Sequence, residues 1–328
     1  MSKVAFCVVA WNNAAVLGQC LDSLLAQQRV DAAIYLMDNG STDATRQLMA
    51  AYPQVHVTWS SENHGFARGN NLLIKQALSD PDVKYVALVN SDATLAPDWA
   101  NRLVDFAEEH ENVGCMQGLT LNYFNHDVVD SEHILVNGNL QGEQYGEGSQ
   151  PQPGMQPRKV FGVNAAAGIY TRVMIEALPD QNHGYFDERF FMYYEDVDAC
   201  FRSLVTGWDA WFVPAAQAFH MGATSAKKQT SSFITKMVAR NLPAMVFKNA
   251  PGYVIAKSLP AAAKGMSWWL GHIRREQGRR AMLRTAASLL KGIARIPLYI
   301  GSRRRIQAAR VMDAHYLLHI MRNRGILD

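Results

Sequence analysis

Residues 85–95 read YVALVNSDATL, an apolar run that ends abruptly in Asn90, Ser91 and Asp92. A short, continuous apolar segment bounded by polar residues predicts a strand buried on both faces, as in the middle of a parallel sheet. Ligands in open α/β sheets gather beyond the carboxyl ends of the strands, so Asp92 stands where a substrate or a metal would be met. The position equally suits a turn or cap, because Pro97 soon afterwards marks a helix start.

Upstream, VAFCVVA, AAIYLMD and VHVTW read as further strands. Helical periodicity follows each strand in turn, over 17–26, from Asp43, over 66–78 and, after YVALVN, over Trp99–Glu109. This alternation predicts an α/β protein with a doubly wound, mostly parallel sheet flanked by helices. From 113 to 163 the chain turns strand-like and Gly-rich, and GEQYGEGSQPQPGMQPRK (142–159) has the composition of a loop that could act as a lid. Order resumes with a helical stretch near 171–178 and with FDERFFMYYEDVDACFRSLVTGWDAWFVP.

The 328 residues, 48% of them hydrophobic, suffice for a globular protein with a substantial core. Cys7, Cys20, Cys115 and Cys200 lack ligand-like spacing and read as reduced core thiols of a cytosolic protein, which argues against a disulfide framework or a zinc site. MSKVAFCVVAWNN reads as a first strand, not a signal peptide. Charge is divided unevenly. From Lys227 onward 20 Lys and Arg face three acids, a balance of +17, so the +3 total leaves −14 for residues 1–226. SWWLGHIRR, AMLRTAASLLKGIARIPLYIG and RRRIQAARVMDAHYLLHIM mix apolar faces with Arg and Lys as interfacial helices do, which favours an anionic membrane surface over nucleic acid. Lys248, Lys257, Lys264, Pro251 and Pro260 interrupt the best candidate for a spanning helix. Ordinary amphipathic helices packed on the preceding domain would show the same pattern.

Polar clusters follow the strands in order: Asn12 and Asn13, then DNGSTD (38–43), ENHGFARGNN (62–71) and NSD (90–92). Strand ends that recur in this way point to one rim, and a nucleotide site explains their chemistry. Asp38 can accept hydrogen bonds from a base, Gly40 allows a sharp turn, and Ser41 or Asp43 can cap the next helix; DNGSTD alone is also a good turn and cap sequence. Gly65 and Gly69 permit close approach, while Arg68 offers a cation for phosphate. Neither GxGxxG nor GxxxxGK[ST] is present, which argues against dinucleotide and P-loop sites. Asp92 alone is a thin metal site, but diphosphate oxygens can complete the shell of Mg²⁺ or Mn²⁺, so a nucleoside diphosphate is the natural companion.

In FFMYYEDVDACFR (190–202), Glu195, Asp196 and Asp198 bring three carboxylates close together. Phe190, Phe191, Tyr193 and Tyr194 can desolvate one of them and raise it towards a useful general base, although acids also suit a first helical turn. His220 follows another apolar run and is either structural or a metal or phosphate contact.

Together VVAWN, DNGSTD, NHGFARGNN, LVNSD, GVNAAAGIYTR, FFMYYEDVDACFR and HMGATS resemble, in order and spacing, the family 2 glycosyltransferases. Within that family the likeness is to the bacterial rhamnosyltransferase-like branch that builds surface polysaccharides such as O-antigen. The resemblance implies a GT-A catalytic domain over 1–226, followed by the basic helical region 227–328. It also implies inverting transfer from a nucleotide-sugar donor, most readily dTDP-rhamnose, with Mg²⁺ or Mn²⁺. Galactofuranose, glucose and N-acetylhexosamine donors are the alternatives.

Carried onto this sequence, Asp38 contacts the base, and Asn12, Asn39, Gly65, Arg68, Asn70, Asn90 and Ser91 belong to the donor site. Asp92 takes the metal place of a DxD motif whose first acid is here Asn90, and His220 matches a late metal- or diphosphate-binding His. Asp196 is the base, with Glu195 as supporting carboxylate. The acceptor implied is a glycan or a polyprenyl-diphosphate-linked saccharide at the cytoplasmic leaflet. The protein would then be cytoplasmic and peripheral at the inner face of the membrane, and a homo-oligomer is compatible with the sequence. A nucleotidyltransferase would carry a basic Gly-rich loop where this chain has WNNAAV, and a non-catalytic scaffold would be expected to have lost Asp92 or Asp196.

Overall fold

A computed structural model of the chain describes residues 1–222 and 231–327. The boundary expected at 226/227 and the last three residues of HMGATS lie outside the described residues. In the N-terminal half β1 (Lys3–Ala10), α1 (Ala14–Leu25), β2 (Asp31–Asn39), α2 (Thr45–Leu48), β3 (His56–Ser60), α3 (Gly65–Ala77) and β4 (Val83–Val89) alternate as the apolar pattern predicts. The helix expected from Asp43 is only this one short turn plus a 3-10 turn at Met49–Ala51. Next come β5 (Ala93–Leu95), α4 (Trp99–Glu109), β6 (Val113–Asn122), β7 (Asn125–Ser131), β8 (His133–Val136), β9 (Gly142–Tyr145), β10 (Arg158–Val160), β11 (Ala167–Thr171), α5 (Arg172–Ala177), α6 (Glu195–Val205) and β12 (Asp209–His220). The C-terminal helices are α7 (Ser231–Asn249), α8 (Gly252–Gln277), α9 (Arg279–Ala294), α10 (Ile300–Ala309) and α11 (Ala314–Arg322).

The central sheet runs β10-β12-β6-β11-β4-β1-β2-β3, with β5 added on β12 and β7 on β6; β8 and β9 form a separate hairpin. Strands β3, β2, β1 and β4 are mutually parallel, so their carboxyl ends share one rim, and Ala10 pairs with Asp38 there. Antiparallel β11 lies between β4 and β6, and β12 runs parallel to β6. Along β1, Val4, Phe6, Val8 and Ala10 pack with α1 and α4 on one face, while Ala5 and Cys7 pack with α3 and α6 on the other. Tyr85, Ala87 and Val89 of β4 likewise face one layer and Val86 and Leu88 the other, so the strand is buried on both sides as its continuous apolar run requires. Each such Val, Leu or Phe side chain contributes about 1.5–3 kcal/mol by leaving water. All four cysteines are free and buried in these layers.

The C-terminal helices join the same core. Met245 and Val246 of α7, Val254 of α8 and Leu317 and Ile320 of α11 belong to one apolar cluster with Ala5, Cys7, Val86 and Leu88. Pro251 separates α7 from α8 as expected, but Pro260 lies inside α8 and does not end it. A helix survives an internal proline when packing elsewhere compensates the missing hydrogen bond. Among the described residues no helix is long and apolar enough to cross a membrane.

Candidate active site

At the end of β4 the chain turns at once into β5, which pairs antiparallel with the end of β12, so that Ala93 lies opposite His220. This pairing brings together two residues far apart in sequence. Nε2 of His220 lies 3.4 Å from Asp92 Oδ1, and Nδ1 lies 3.1 Å from Oδ2 of Asp130 on β7. Burial works against a charged imidazole, but hydrogen bonds to Asp130 and Asp92 outweigh it and hold His220 up at about 10. Asn90 Nδ2 approaches the same ring at 3.4 Å, and Ser91 Oγ accepts from Asn13 Nδ2 at 2.7 Å.

Asn90, Ser91 and Asp92 form one wall of a cavity of about 390 Å³, within the range of small-molecule sites. Asn13, Asn39, Asn63 and Gly65 continue that wall, and Tyr193, Tyr194, Glu195 and Asp196 face into the same space, with Gln144 and Asn164 alongside. The structure thus brings the end of β4 and the acidic start of α6 to one cavity.

The segment before α6 is strained. Phe191, Tyr193 and Tyr194 have φ of 67°, 65° and 72°, a positive-φ backbone that costs roughly 1–3 kcal/mol per non-glycine residue and persists only where surroundings enforce it. One enforcing contact comes from the NHGFARGNN segment: Ala67 N–H donates to the Phe191 carbonyl at 3.1 Å. Gly65, at φ 77°, admits this approach, since a Cβ there would run into the Phe191 carbonyl and ring.

The carboxylates of this segment divide by environment. Glu195 is buried, its Oε2 has no hydrogen-bond partner among the described residues, and burial followed by the neighbouring Asp196 charge pushes it well above the usual glutamate range. Asp196 is half-buried at the cavity wall. Desolvation raises it as well, opposed by backbone N–H groups of Val197 and Ala165. Asp198 turns away into the core, where Lys248 Nζ lies 2.8 Å from it and 2.7 Å from Asp187. Burial disfavours the Asp187 carboxylate, but Arg189 and Lys248 hold it well below the usual range. One carboxylate of the three is therefore structural, and two face the cavity.

Asp92 and His220 are the side chains that could hold a divalent cation. Among the described residues no group of three or more His, Cys, Asp or Glu could do so. Two protein donors fall short of the six or more ligands of a hard cation, so this set fits an ion that arrives with diphosphate oxygens, not a resident cage. Asp130 would act behind His220, as carboxylates commonly orient ligating imidazoles.

Other expected donor residues lie outside the cavity wall. Asp38 is buried at the end of β2 and accepts the Ser41 N–H at 3.1 Å. Asn12 Oδ1 accepts from the Thr42 N–H at 2.7 Å. Asp43 accepts from N–H groups at the starts of α1 and α2, so DNGSTD does serve as a turn and cap. Arg68 is exposed on α3, whereas Asn70 is buried and donates to the Phe66 carbonyl of its own helix at 3.0 Å. Asn13 was legible from its place beside Asn12, and Asn164 lies within GVNAAAGIYTR, but Asp130 and Gln144 were not singled out, because only the folding-back of β7 and β9 brings them here.

Residues 5–148 match the family described as Glycosyl transferase family 2. An N-acetylglucosaminyl-diphospho-decaprenol L-rhamnosyltransferase of Mycobacterium tuberculosis is 26% identical over 237 residues, which cover 66% of this chain and 76% of that protein. Among solved structures, S. aureus TarS 1-349 superposes with a TM-score of 0.59 at 16% identity, covering 98% of this chain and 88% of that one. A mannosyltransferase from Pyrobaculum calidifontis, in complex with GDP-Man and Mn²⁺, gives 0.52 at 17% identity, with 97% and 85% covered. The mixed sheet, its flanking helices and the helical extension are those of a GT-A type glycosyltransferase, and residues 5–148 are a glycosyl transferase family 2 domain.

Proposed function

We propose that the chain is an inverting glycosyltransferase that moves a sugar, L-rhamnose from dTDP-rhamnose foremost, onto a hydroxyl of a glycan or lipid-linked saccharide. The observation that carries this reading is the single cavity in which Asp92 on one wall meets Asp196 on another. The donor's diphosphate would lie by Asn90, Ser91 and Asp92, where the His220 cation, held between Asp92 and Asp130, adds positive charge. A divalent cation, when bound by Asp92 and by His220 in its neutral form, would supply that charge instead. Asp196 takes the proton of the acceptor hydroxyl as its oxygen forms the new bond to the anomeric carbon. The bond to the diphosphate breaks on the opposite face, and one base suffices for inversion. Burial suits Asp196 to this task by raising its proton affinity.

The rhamnosyl donor and a polyprenyl-diphosphate acceptor are supported by the name of the mycobacterial relative. Attachment to an anionic membrane is supported by exposed Trp268, Leu283, Leu290 and Ile293 on α8 and α9, which stand among exposed Arg279, Arg280 and Arg284. The test is nucleoside diphosphate release from a panel of sugar donors with Mg²⁺ or Mn²⁺. Turnover of dTDP-rhamnose above the other donors is expected, with a loss of roughly 10²–10⁴-fold in Asp196→Asn. Preference for another sugar would correct the donor, and an Asp196→Asn variant as active as wild type would remove the proposed base.

A further inference from the structure

α7 runs alongside the strained segment 190–194, and its Asn241 is buried against it. Asn241 Nδ2 donates to the carbonyls of Phe190, Met192 and Tyr193 at 3.0, 3.0 and 2.7 Å. Its Oδ1 accepts from Arg240 Nε at 3.0 Å, which orients the amide with its NH₂ towards the segment. The two remaining carbonyls of the segment are met by backbone, Phe191 by Ala67 N–H at 3.1 Å and Tyr194 by Asp198 N–H at 2.9 Å. Positive-φ residues at 191, 193 and 194 take this stretch out of any regular ladder, so its carbonyls need donors from elsewhere. One side chain shares its two N–H groups among three of them, and the Phe190 carbonyl also accepts from Met192 N–H at 2.8 Å and Arg240 Nη2 at 2.6 Å, so those of Met192 and Tyr193 depend on Asn241 most. It comes from the basic C-terminal region, outside the matched segment 5–148, and Val238, one turn earlier on α7, lines the cavity.

We propose that Asn241 is a positioning residue that acts through the 190–194 backbone to hold Glu195 and Asp196 in the cavity, which makes α7 part of the catalytic apparatus. The inference rests on the glycosyltransferase reading for its kinetic consequence but not for its structural one. Asn241→Ala removes the donors; Asn241→Asp keeps the shape and sets a carboxylate against three carbonyl oxygens. Two readouts apply: hydrogen–deuterium exchange of the amides at 191–197, and kcat and KM for dTDP-rhamnose in nucleoside diphosphate release.

For Asn241→Ala, faster exchange at 191–197 is expected with β1 still protected, and kcat should fall roughly 100-fold with the donor KM little changed, as for a displaced catalytic group. Asn241→Asp should lose at least as much. Where Asn241→Ala does not fold, Asn241→Ser, which keeps one donor, is read in the same way. Wild-type exchange at 191–197 in a folded variant, or a raised KM with kcat intact, would overturn the proposal. If wild-type protein turns over no donor, the activity reading fails alone, because exchange still decides whether Asn241 holds the segment.

Discussion

Glu195 shows how little a residue type reveals until its surroundings are known. The sequence places it beside Asp196 as one acid of a pair, yet the fold buries it with no partner for Oε2 among the described residues, while Asp196 keeps backbone donors. Its pKa is raised in the folded state, so its contribution to stability is fully present below the unfolded value and is lost as pH rises through the folded one. Glu195→Gln has no proton to lose. It should therefore raise the melting temperature near neutral pH, and the gain should vanish below about pH 3, where the carboxyl is neutral in both folded and unfolded chains. Melting curves across that range check this, and a gain that persists in acid would mean that the carboxyl is not the source. Asp198, only three positions on, could not be separated from these acids in the sequence, because its partner Lys248 lies in another element.

At the scale of elements, α7 decides more than its composition suggests. Asn241 and Lys248 stand seven residues apart in a helix otherwise rich in Met, Val and Ala, which sets them on one stripe of its surface. That stripe is buried: Lys248 joins Asp187, which precedes the strained segment, to Asp198 within α6. Lys248→Met would leave the buried Asp198 without its cation and Asp187 with Arg189 alone, and should cost about 3–5 kcal/mol, measured by urea unfolding. Adding Asp198→Asn should recover part of that loss, whereas a single variant as stable as wild type would show that the ion pair contributes nothing net. A buried polar stripe was readable in principle from the helical spacing. Its partners were not, since a solvated basic face has the same periodicity.

Across the whole molecule the charge division acquires two roles. Part of the basic C-terminal third is consumed internally, with Arg240 and Arg295 reaching carbonyls of Phe190 and Arg189 and Lys248 meeting buried acids. Another part, on α8 and α9, remains exposed among apolar side chains. Cosedimentation with phosphatidylglycerol-rich vesicles is expected, weakened by salt and by Arg279→Glu, Arg280→Glu and Arg284→Glu together, and absent with neutral phosphatidylcholine. Equal binding to both lipids would reassign the surface to apolar contact alone.

What the sequence determined by itself was local and periodic: the doubly buried strands, the helices between them and the polar residues at each strand end, because burial on two faces demands continuous apolar runs and turns demand small or polar residues. Only the tertiary structure decided which of these meet. β5 pairing with β12 brings His220 to Asp92, antiparallel β11 enters beside β4, and Asn241 reaches the loop before α6. Such contacts join residues far apart along the chain, and their energies depend on burial and geometry that residue spacing does not encode.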